Sequence, residues 1–188
     1  MDYVVLDLEW NQASDSRDAR NRLLTFEIIE IGAVKLNSRM EIVDTFEELI
    51  RPQVYDTMHH ITEKLIGIHM KDLSGCRTFD VVMKDFLAWC GEDFMFGTWG
   101  PQDLTELQKN MRFFGMEPLG KGPVRFYDIQ KLFSIAYEDQ KVRRSLEYAV
   151  DYLQIPKDIP FHRAISDAVY TLSLIHISEP TRLGMISY

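Results

Sequence analysis

Two acidic residues, Asp7 and Glu9, lie within the otherwise apolar stretch YVVLDLEW. The stretch is rich in β-branched and aromatic residues and predicts a central strand that is covered on both faces. Residues two apart in a strand point to the same face, so we expect the two carboxylates side by side. Burying like charges together is costly unless a cation compensates them. The pair therefore indicates a cation site, although a strand edge with a wet face would also accommodate it.

Three further residues could join this pair. Asp103 follows a second buried strand and can project over the same sheet edge, although aspartate at a helix start also suits the helix dipole. His162 and Asp167 belong to FHRAISDAVYT at the beginning of the last predicted helix. A step of five residues turns about 140° around a helix, so they share a site only if His162 lies on the loop or first turn. Taken alone, His162 fits a solvated loop residue better than a base.

Four carboxylates and one histidine could hydrolyse a phosphodiester. Mg²⁺ and Mn²⁺ prefer carboxylate oxygens and water, and two such ions about 3.5–4 Å apart can activate a water and stabilise a leaving oxygen. Histidine has an unperturbed pKa of about 6.5 and can accept a proton from water near neutrality. Zinc is disfavoured, because His59 and His60 are adjacent and no third ligand stands at zinc spacing.

The elements that must position these residues follow from hydrophobic patterning and capping signals. In chain order we predict strands at 3–10, 26–36 and 42–50, a helix entered through Thr78 and reaching Cys90, a strand at 94–98, a helix from Pro101 to Met111, a short strand near 125–127, and helices beginning at Asp128, at Ser145 and after His162. The polar stretch 11–22 predicts a loop. This order favours an α/β domain with a mixed five-stranded sheet and helices on both faces.

Charge and cysteine content limit the kinds of partner and compartment that suit this protein. The 188 residues fit one domain, and 21 Lys plus Arg against 29 Asp plus Glu give a net charge of −8. This balance argues against passive adhesion to a polyanion, so any nucleic-acid contact must be local. Cys76 and Cys90 have no metal-site spacing and suit free thiols in a reducing compartment. With no leader pattern and no long apolar run, we expect a cytoplasmic protein without a membrane span.

The motifs VVLDLEW, Asp103 after a strand, and HRAISD resemble, in order and spacing, the three exonuclease motifs of the DEDDh (DnaQ-like) family, which has a ribonuclease H-like fold. EIIEIGAVKL, KLIGI and SLEYAVDYL are also similar to segments of that family. The pattern most resembles the branch that trims RNA, including histone mRNA ends and small RNAs. The resemblance implies a metal-dependent 3′→5′ exonuclease acting on single-stranded nucleic acid, with RNA preferred over DNA.

The same resemblance implies residue roles. Asp7 would bridge two divalent ions, Glu9 and Asp167 would hold the ion that activates water, Asp103 would support the second ion through water, and His162 would be the general base. Two other functions stay open: a catalytically silent nucleic-acid-binding domain of this fold, and a DNA proofreading or repair exonuclease.

Three residues are candidates for contact with the terminal nucleotide. Trp10 and Trp99 flank the acidic motifs and could stack on a base, with core packing as the ordinary alternative. Ile66 stands where many members of the family have a threonine in a Leu-Thr-Gly-Ile turn that lies against that nucleotide.

The last residues fit the family pattern poorly. Ser178-Glu179-Pro180 should break the final helix, and LSLIHISEPTRLGMISY resembles translated adaptor sequence. We therefore predict an exonuclease domain over residues 1–172 and a C-terminal tail of doubtful origin over residues 173–188.

Overall fold

A computed structural model of the chain describes residues 1–13, 23–120 and 124–185, with side chains described up to residue 177. The strands within these ranges are β1 (Asp2–Gln12), β2 (Phe26–Leu36), β3 (Ile42–Leu49), β4 (Phe94–Thr98) and β5 (Phe126–Asp128). They form one sheet in the order β3-β2-β1-β4-β5. Strand β2 is antiparallel to β1 and β3, whereas β4 is parallel to β1 and β5. The predicted mixed five-stranded sheet is confirmed.

The described helices are α1 (His60–Ile66), α2 (Met70–Leu73), α3 (Phe79–Cys90), α4 (Gln102–Phe113), α5 (Ile129–Tyr137), α6 (Leu146–Tyr152) and α7 (Ala164–Met185). Helices α3, α4, α5, α6 and α7 begin at or next to the residues predicted from the sequence, whereas α1 and α2 were not predicted individually. The carboxylate of Asp128 accepts a hydrogen bond from the Lys131 backbone N–H, and the Ser145 hydroxyl accepts one from Tyr148. These side chains satisfy amide donors that the first turn of a helix leaves open.

Alternation along β1 divides the core into two layers. Val4, Leu6 and Leu8 pack with buried residues of α3 and α4, whereas Val5 packs with Ala168 of α7. Helices therefore cover both faces of the sheet, as predicted. Asp7 and Glu9 alternate with the leucines of β1 and so share the face that carries α7.

Gly32 lets α7 begin directly over the carboxylate pair. It lies opposite Asp7 in the β1–β2 register. A Cβ atom at this position would lie 2.0 Å from the Ile165 nitrogen and 2.1 Å from the Ala164 carbonyl carbon. Any larger residue would push the first turn of α7 away from the sheet, so this glycine sets the distance between helix and strand.

Two sequence expectations need correction. Strand β1 continues through Gln12, because Asn11 and Gln12 still pair with Glu27 and Phe26 of β2. Residues 14–22 of the predicted loop lie outside the described part of the chain. Helix α7 runs through Pro180 to Met185, so the predicted break is wrong. A proline removes one helical hydrogen bond, yet its φ of about −65° suits a helix.

The C-terminal boundary stays a prediction. Leu174, which falls inside the predicted tail, is only 2% exposed and packs with Tyr170 in the core. Residues 186–188 lie outside the described part of the chain. None of the helices described is long and apolar enough to cross a membrane.

Candidate active site

Three carboxylates converge over the middle of β1, just beyond the end of its pairing with β4. Each of Asp7, Glu9 and Asp167 places one carboxylate oxygen within 4.8 Å of the other two. Strand β1 supplies the first two, and the first turn of α7 supplies the third. Oxygen donors at this spacing are the ligands that a hard divalent cation prefers, so the donor set fits Mg²⁺ or Mn²⁺.

Asp103 lies beside this group but outside it. It is the second residue of α4 and is only 6% exposed. Strand β4 is parallel to β1, so α4, which follows β4, begins next to the three carboxylates. Backbone hydrogen bonds, including one from Leu8, stabilise the Asp103 carboxylate, and its negative charge raises the pKa of Asp7. The structure thus brings all four predicted carboxylates into electrostatic contact.

Burial and mutual repulsion raise the pKa values of these four carboxylates. Burial, followed by the charges of Asp103 and Asp167, raises the pKa of Asp7 well above its ordinary value. Burial is also the main cause that raises the pKa of Glu9 to about 8, of Asp103 to about 7 and of Asp167 to about 6. A bound cation reverses this effect, because it favours the charged form of every carboxylate near it.

His162 lies on the loop immediately before α7, as the five-residue spacing required. Its backbone has a φ of +64°, an uncommon conformation for a residue with a side chain. Its backbone N–H is directed at both carboxylate oxygens of Asp167, at 3.3 and 3.4 Å. The half-buried His162 side chain therefore extends from a backbone that is tied to one member of the carboxylate group.

Sequence reasoning missed a buried ion pair next to the site. Glu30 of β2 lies directly opposite Glu9 and is 0% exposed. The guanidinium of Arg163, the residue after His162, donates three hydrogen bonds to the Glu30 carboxylate, at 2.7, 2.9 and 3.2 Å. The signal was present as an acidic residue within the apolar strand FEIIEIGAVKL, the same anomaly that marked Asp7 and Glu9.

The three residues suggested for substrate contact lie against the core. Trp10 is half-buried with its ring centroid 5.5 Å from that of Phe26. The Trp99 ring packs on Phe133, and its indole N–H donates to the Arg144 carbonyl. Ile66 is 6% exposed and packs in the core below α1, which leaves it little surface to offer a nucleotide. Their contact with substrate stays a prediction.

An α/β sheet that carries such a carboxylate group, with a histidine on the adjoining loop, is typical of metal-dependent phosphodiester hydrolases. A family model described as exonuclease (RNase_T) matches residues 4–175. The chain belongs to this exonuclease family, which depends on divalent metal.

Two curated relatives share the same region. The chain is 26% identical over 92% of its length to a PolC-type DNA polymerase III of Caldanaerobacter subterraneus subsp. tengcongensis. It is 24% identical over 76% of its length to human 3′-5′ exoribonuclease 1. The chain spans only 11% and 43% of the lengths of these two proteins.

Solved structures with the same fold include nucleases. The nuclease domain of 3′hExo, a DEDDh family member bound to rAMP, matches with a TM-score of 0.75 and 20% identity, over 95% of this chain and 92% of that one. The S. pombe Pop2p structure with Mg²⁺ and Mn²⁺ matches with a TM-score of 0.65 and 20% identity, over 92% and 81% of the two chains. The predicted ribonuclease H-like exonuclease fold is confirmed.

Proposed function

We propose that the chain is a metal-dependent 3′→5′ exonuclease that hydrolyses the terminal phosphodiester bond of single-stranded nucleic acid. The observation that carries the proposal is the convergence of Asp7, Glu9 and Asp167 carboxylate oxygens within 4.8 Å, beside the buried Asp103. Membership in an exonuclease family and likeness to a human exoribonuclease support the direction of cleavage.

The carboxylates have separate tasks in this proposal. Asp7, at the centre of the group, would contact two divalent ions, with Glu9 and Asp167 on one of them and Asp103 supporting the other through water. When bound, Mg²⁺ or Mn²⁺ lowers the pKa of a water and neutralises charge on the scissile phosphate. The Pop2p structure, which has the same fold and was solved with Mg²⁺ and Mn²⁺ bound, supports the choice of these cations.

His162 would remove a proton from the attacking water. A histidine suits this task near neutral pH, because its neutral ring accepts a proton that carboxylates bound to cations cannot take. The hydrogen bond from the His162 backbone N–H to the Asp167 carboxylate supports this role, because it keeps His162 near one of the proposed cation ligands. Loss of this residue should therefore affect the rate of hydrolysis and leave cation binding intact.

We propose RNA as the preferred substrate. The likeness to the human 3′-5′ exoribonuclease and to a nuclease domain bound to rAMP supports RNA, whereas the likeness to a DNA polymerase supports DNA. Matched RNA and DNA oligomers of the same sequence decide between them through their relative kcat/KM. Faster hydrolysis of DNA would assign the chain to DNA proofreading or repair.

A labelled oligomer tests the proposed activity. Single-stranded RNA labelled at its 5′ end should give a ladder of shortened products with Mg²⁺ and none with a chelator. The same RNA labelled at its 3′ end should release labelled mononucleotide at once. Asp7→Asn should remove the ladder, whereas the exposed control Asp93→Asn should keep it. Binding of the RNA without any ladder would leave the catalytically silent binding domain as the function.

A further inference from the structure

We propose that Glu30 and Arg163 form a positioning pair that holds His162 beside the carboxylate group without touching the substrate. The inference rests on the role of His162 as general base that is proposed above. It adds two residues to the machinery, one buried in β2 and one on the loop before α7. Neither residue belongs to the carboxylate group itself.

The pair joins the loop before α7 to the sheet through a bidentate ion pair, in which two guanidinium nitrogens bind one carboxylate. The Arg163 Nε donates to both Glu30 carboxylate oxygens, at 2.9 and 3.2 Å, and its Nη2 donates to Oε1 at 2.7 Å. The planar guanidinium fixes direction as well as distance in such a bond, which a lysine ammonium cannot do. Arg163 follows His162 in the chain, so a fixed Arg163 backbone also restricts the position of the histidine.

Glu30 also holds the first turn of α7. The Ala164 backbone N–H is directed at Glu30 Oε2 at 3.4 Å. The N–H of His162, two residues earlier, is directed at the Asp167 carboxylate. These contacts of residues 162 and 164 hold the Arg163 backbone from both sides. They also stabilise the left-handed conformation of His162, which has a φ of +64°. Such strained conformations persist only where the surroundings determine them.

The charges explain why the pair has two members. A Glu30 carboxylate that is 0% exposed and directly opposite Glu9 would add one more negative charge to a crowded site. Arg163 supplies the compensating positive charge, and it also lowers the pKa of Glu9. The pair thus anchors the loop without adding net charge beside the carboxylate group.

The chain provides a matched control in the same cleft. Arg77 and Arg163 both line a surface cleft of about 480 Å³. Arg77 also pairs with a glutamate, its Nη2 lying 2.7 Å from Glu48 Oε1, and with Asp85. Among the described residues, neither ion pair of Arg77 involves α7 or the loop before it. Arg77→Lys is therefore the same arginine-to-lysine substitution in the same cleft, but it leaves the loop that carries His162 unchanged.

Steady-state hydrolysis of single-stranded RNA with saturating Mg²⁺ tests the pair. Arg163→Lys keeps the charge but loses the bidentate ion pair, so we expect kcat to fall by about 10–100-fold with KM changed less than about twofold. The double variant Glu30→Gln/Arg163→Gln removes both charges of the pair together, so neither is left unpaired. It should show the same loss of kcat. Arg77→Lys should match the wild type. In a His162→Ala background, Arg163→Lys should cause no further loss of kcat, because the group it positions is gone.

Each other outcome overturns the inference. A raised KM with unchanged kcat in Arg163→Lys would mean that Arg163 binds substrate. Full additivity with His162→Ala, or loss of the folded state in both pair variants by circular dichroism, would make the pair a structural element only. If His162→Ala slows hydrolysis but Arg163→Lys does not, this inference fails alone. If His162→Ala has the wild-type rate, the proposed base and the positioning pair fail together.

Discussion

Acidic residues in two regions of the same sheet have opposite surroundings. Glu27 of β2 is 1% exposed, and its carboxylate accepts backbone hydrogen bonds from Gln53, Val54 and Tyr55, at 2.5, 2.9 and 2.9 Å. The described part of the chain supplies no hydrogen-bond donor to the carboxylates of Asp7 and Glu9. The first carboxylate is stabilised by amide donors, whereas the described residues give Asp7 and Glu9 no such donor and leave their pKa values raised.

This difference separates an acid that holds a loop in place from acids that we propose bind cations. A buried carboxylate that receives several amide donors holds a loop in place, as Glu27 does for residues 53–55. Carboxylates gathered without such donors would be stabilised by a bound cation, as we propose for Asp7 and Glu9. Substitutions in the two regions should therefore affect different measurements.

The largest effect is expected at the centre of the carboxylate group. Asp7→Asn removes a cation ligand, so it should abolish Mg²⁺-dependent hydrolysis of single-stranded RNA. Because it also removes repulsion among buried acids, the free energy of unfolding without metal should stay unchanged or rise by up to about 2 kcal/mol. Urea unfolding and the RNA ladder measure both quantities, and a variant with near-normal cleavage would contradict the assignment.

The next largest effect concerns the proposed base. His162→Ala should slow hydrolysis at saturating Mg²⁺ by about 10²–10⁴-fold without weakening cation binding. The wild-type rate should fall as acid protonates the ring, and the variant should lose that limb of the pH profile. His162→Asn tests whether a polar group alone suffices. A loss below about threefold with an unchanged pH profile would point to a solvated loop residue.

Stability without metal should depend on pH because of the carboxylate group. Burial raises the pKa of Glu9 from 4.5 to about 8 and of Asp103 from 3.8 to about 7. The folded state thus holds these protons more tightly than the unfolded state, so the free energy of unfolding should fall as pH rises from about 4 to about 8. Mg²⁺ should restore more stability at high pH, where it competes with fewer protons.

Urea titrations in chelator and in Mg²⁺, at about pH 5 and about pH 8, measure this dependence. The double variant Asp7→Asn/Glu9→Gln provides the control, since removing two of the titrating groups should flatten the curve. Equal slopes in wild type and control would show that other groups cause the pH dependence.

The smallest effect on activity is expected at Glu27. Glu27→Gln weakens the hydrogen bonds to residues 53–55 and should lower the free energy of unfolding by about 1–3 kcal/mol. The kcat per folded molecule should equal that of the wild type, and Mg²⁺ should stabilise both proteins equally. A large fall in kcat would remove the distinction between the two sets of acids.

Local patterning made most of the fold and the acidic residues predictable. Strand alternation placed Asp7 and Glu9 on one face, and the capping side chains of Asp128 and Ser145 marked helix starts. These signals act over a few residues, so a single sequence contains them.

The remaining features depend on contacts between distant segments. The pairing of Glu30 with Arg163 depends on the β1–β2 register, which has an irregularity after Glu9, and on the approach of α7 over Gly32. Ile66 and Trp99 have types that suit a nucleotide contact or a core equally well. Only the tertiary structure shows that they lie against the core.

Calorimetric titration of Mn²⁺ into the protein tests the central claim that the carboxylate group binds divalent cations. The pKa of Glu9 is raised to about 8, so Mn²⁺ should displace protons at about pH 7, and the observed heat should depend on the ionisation heat of the buffer. We predict tight binding with proton release in the wild type and in Glu27→Gln, and loss of both in Asp7→Asn. Binding by Asp7→Asn with unchanged affinity and proton release would contradict the claim.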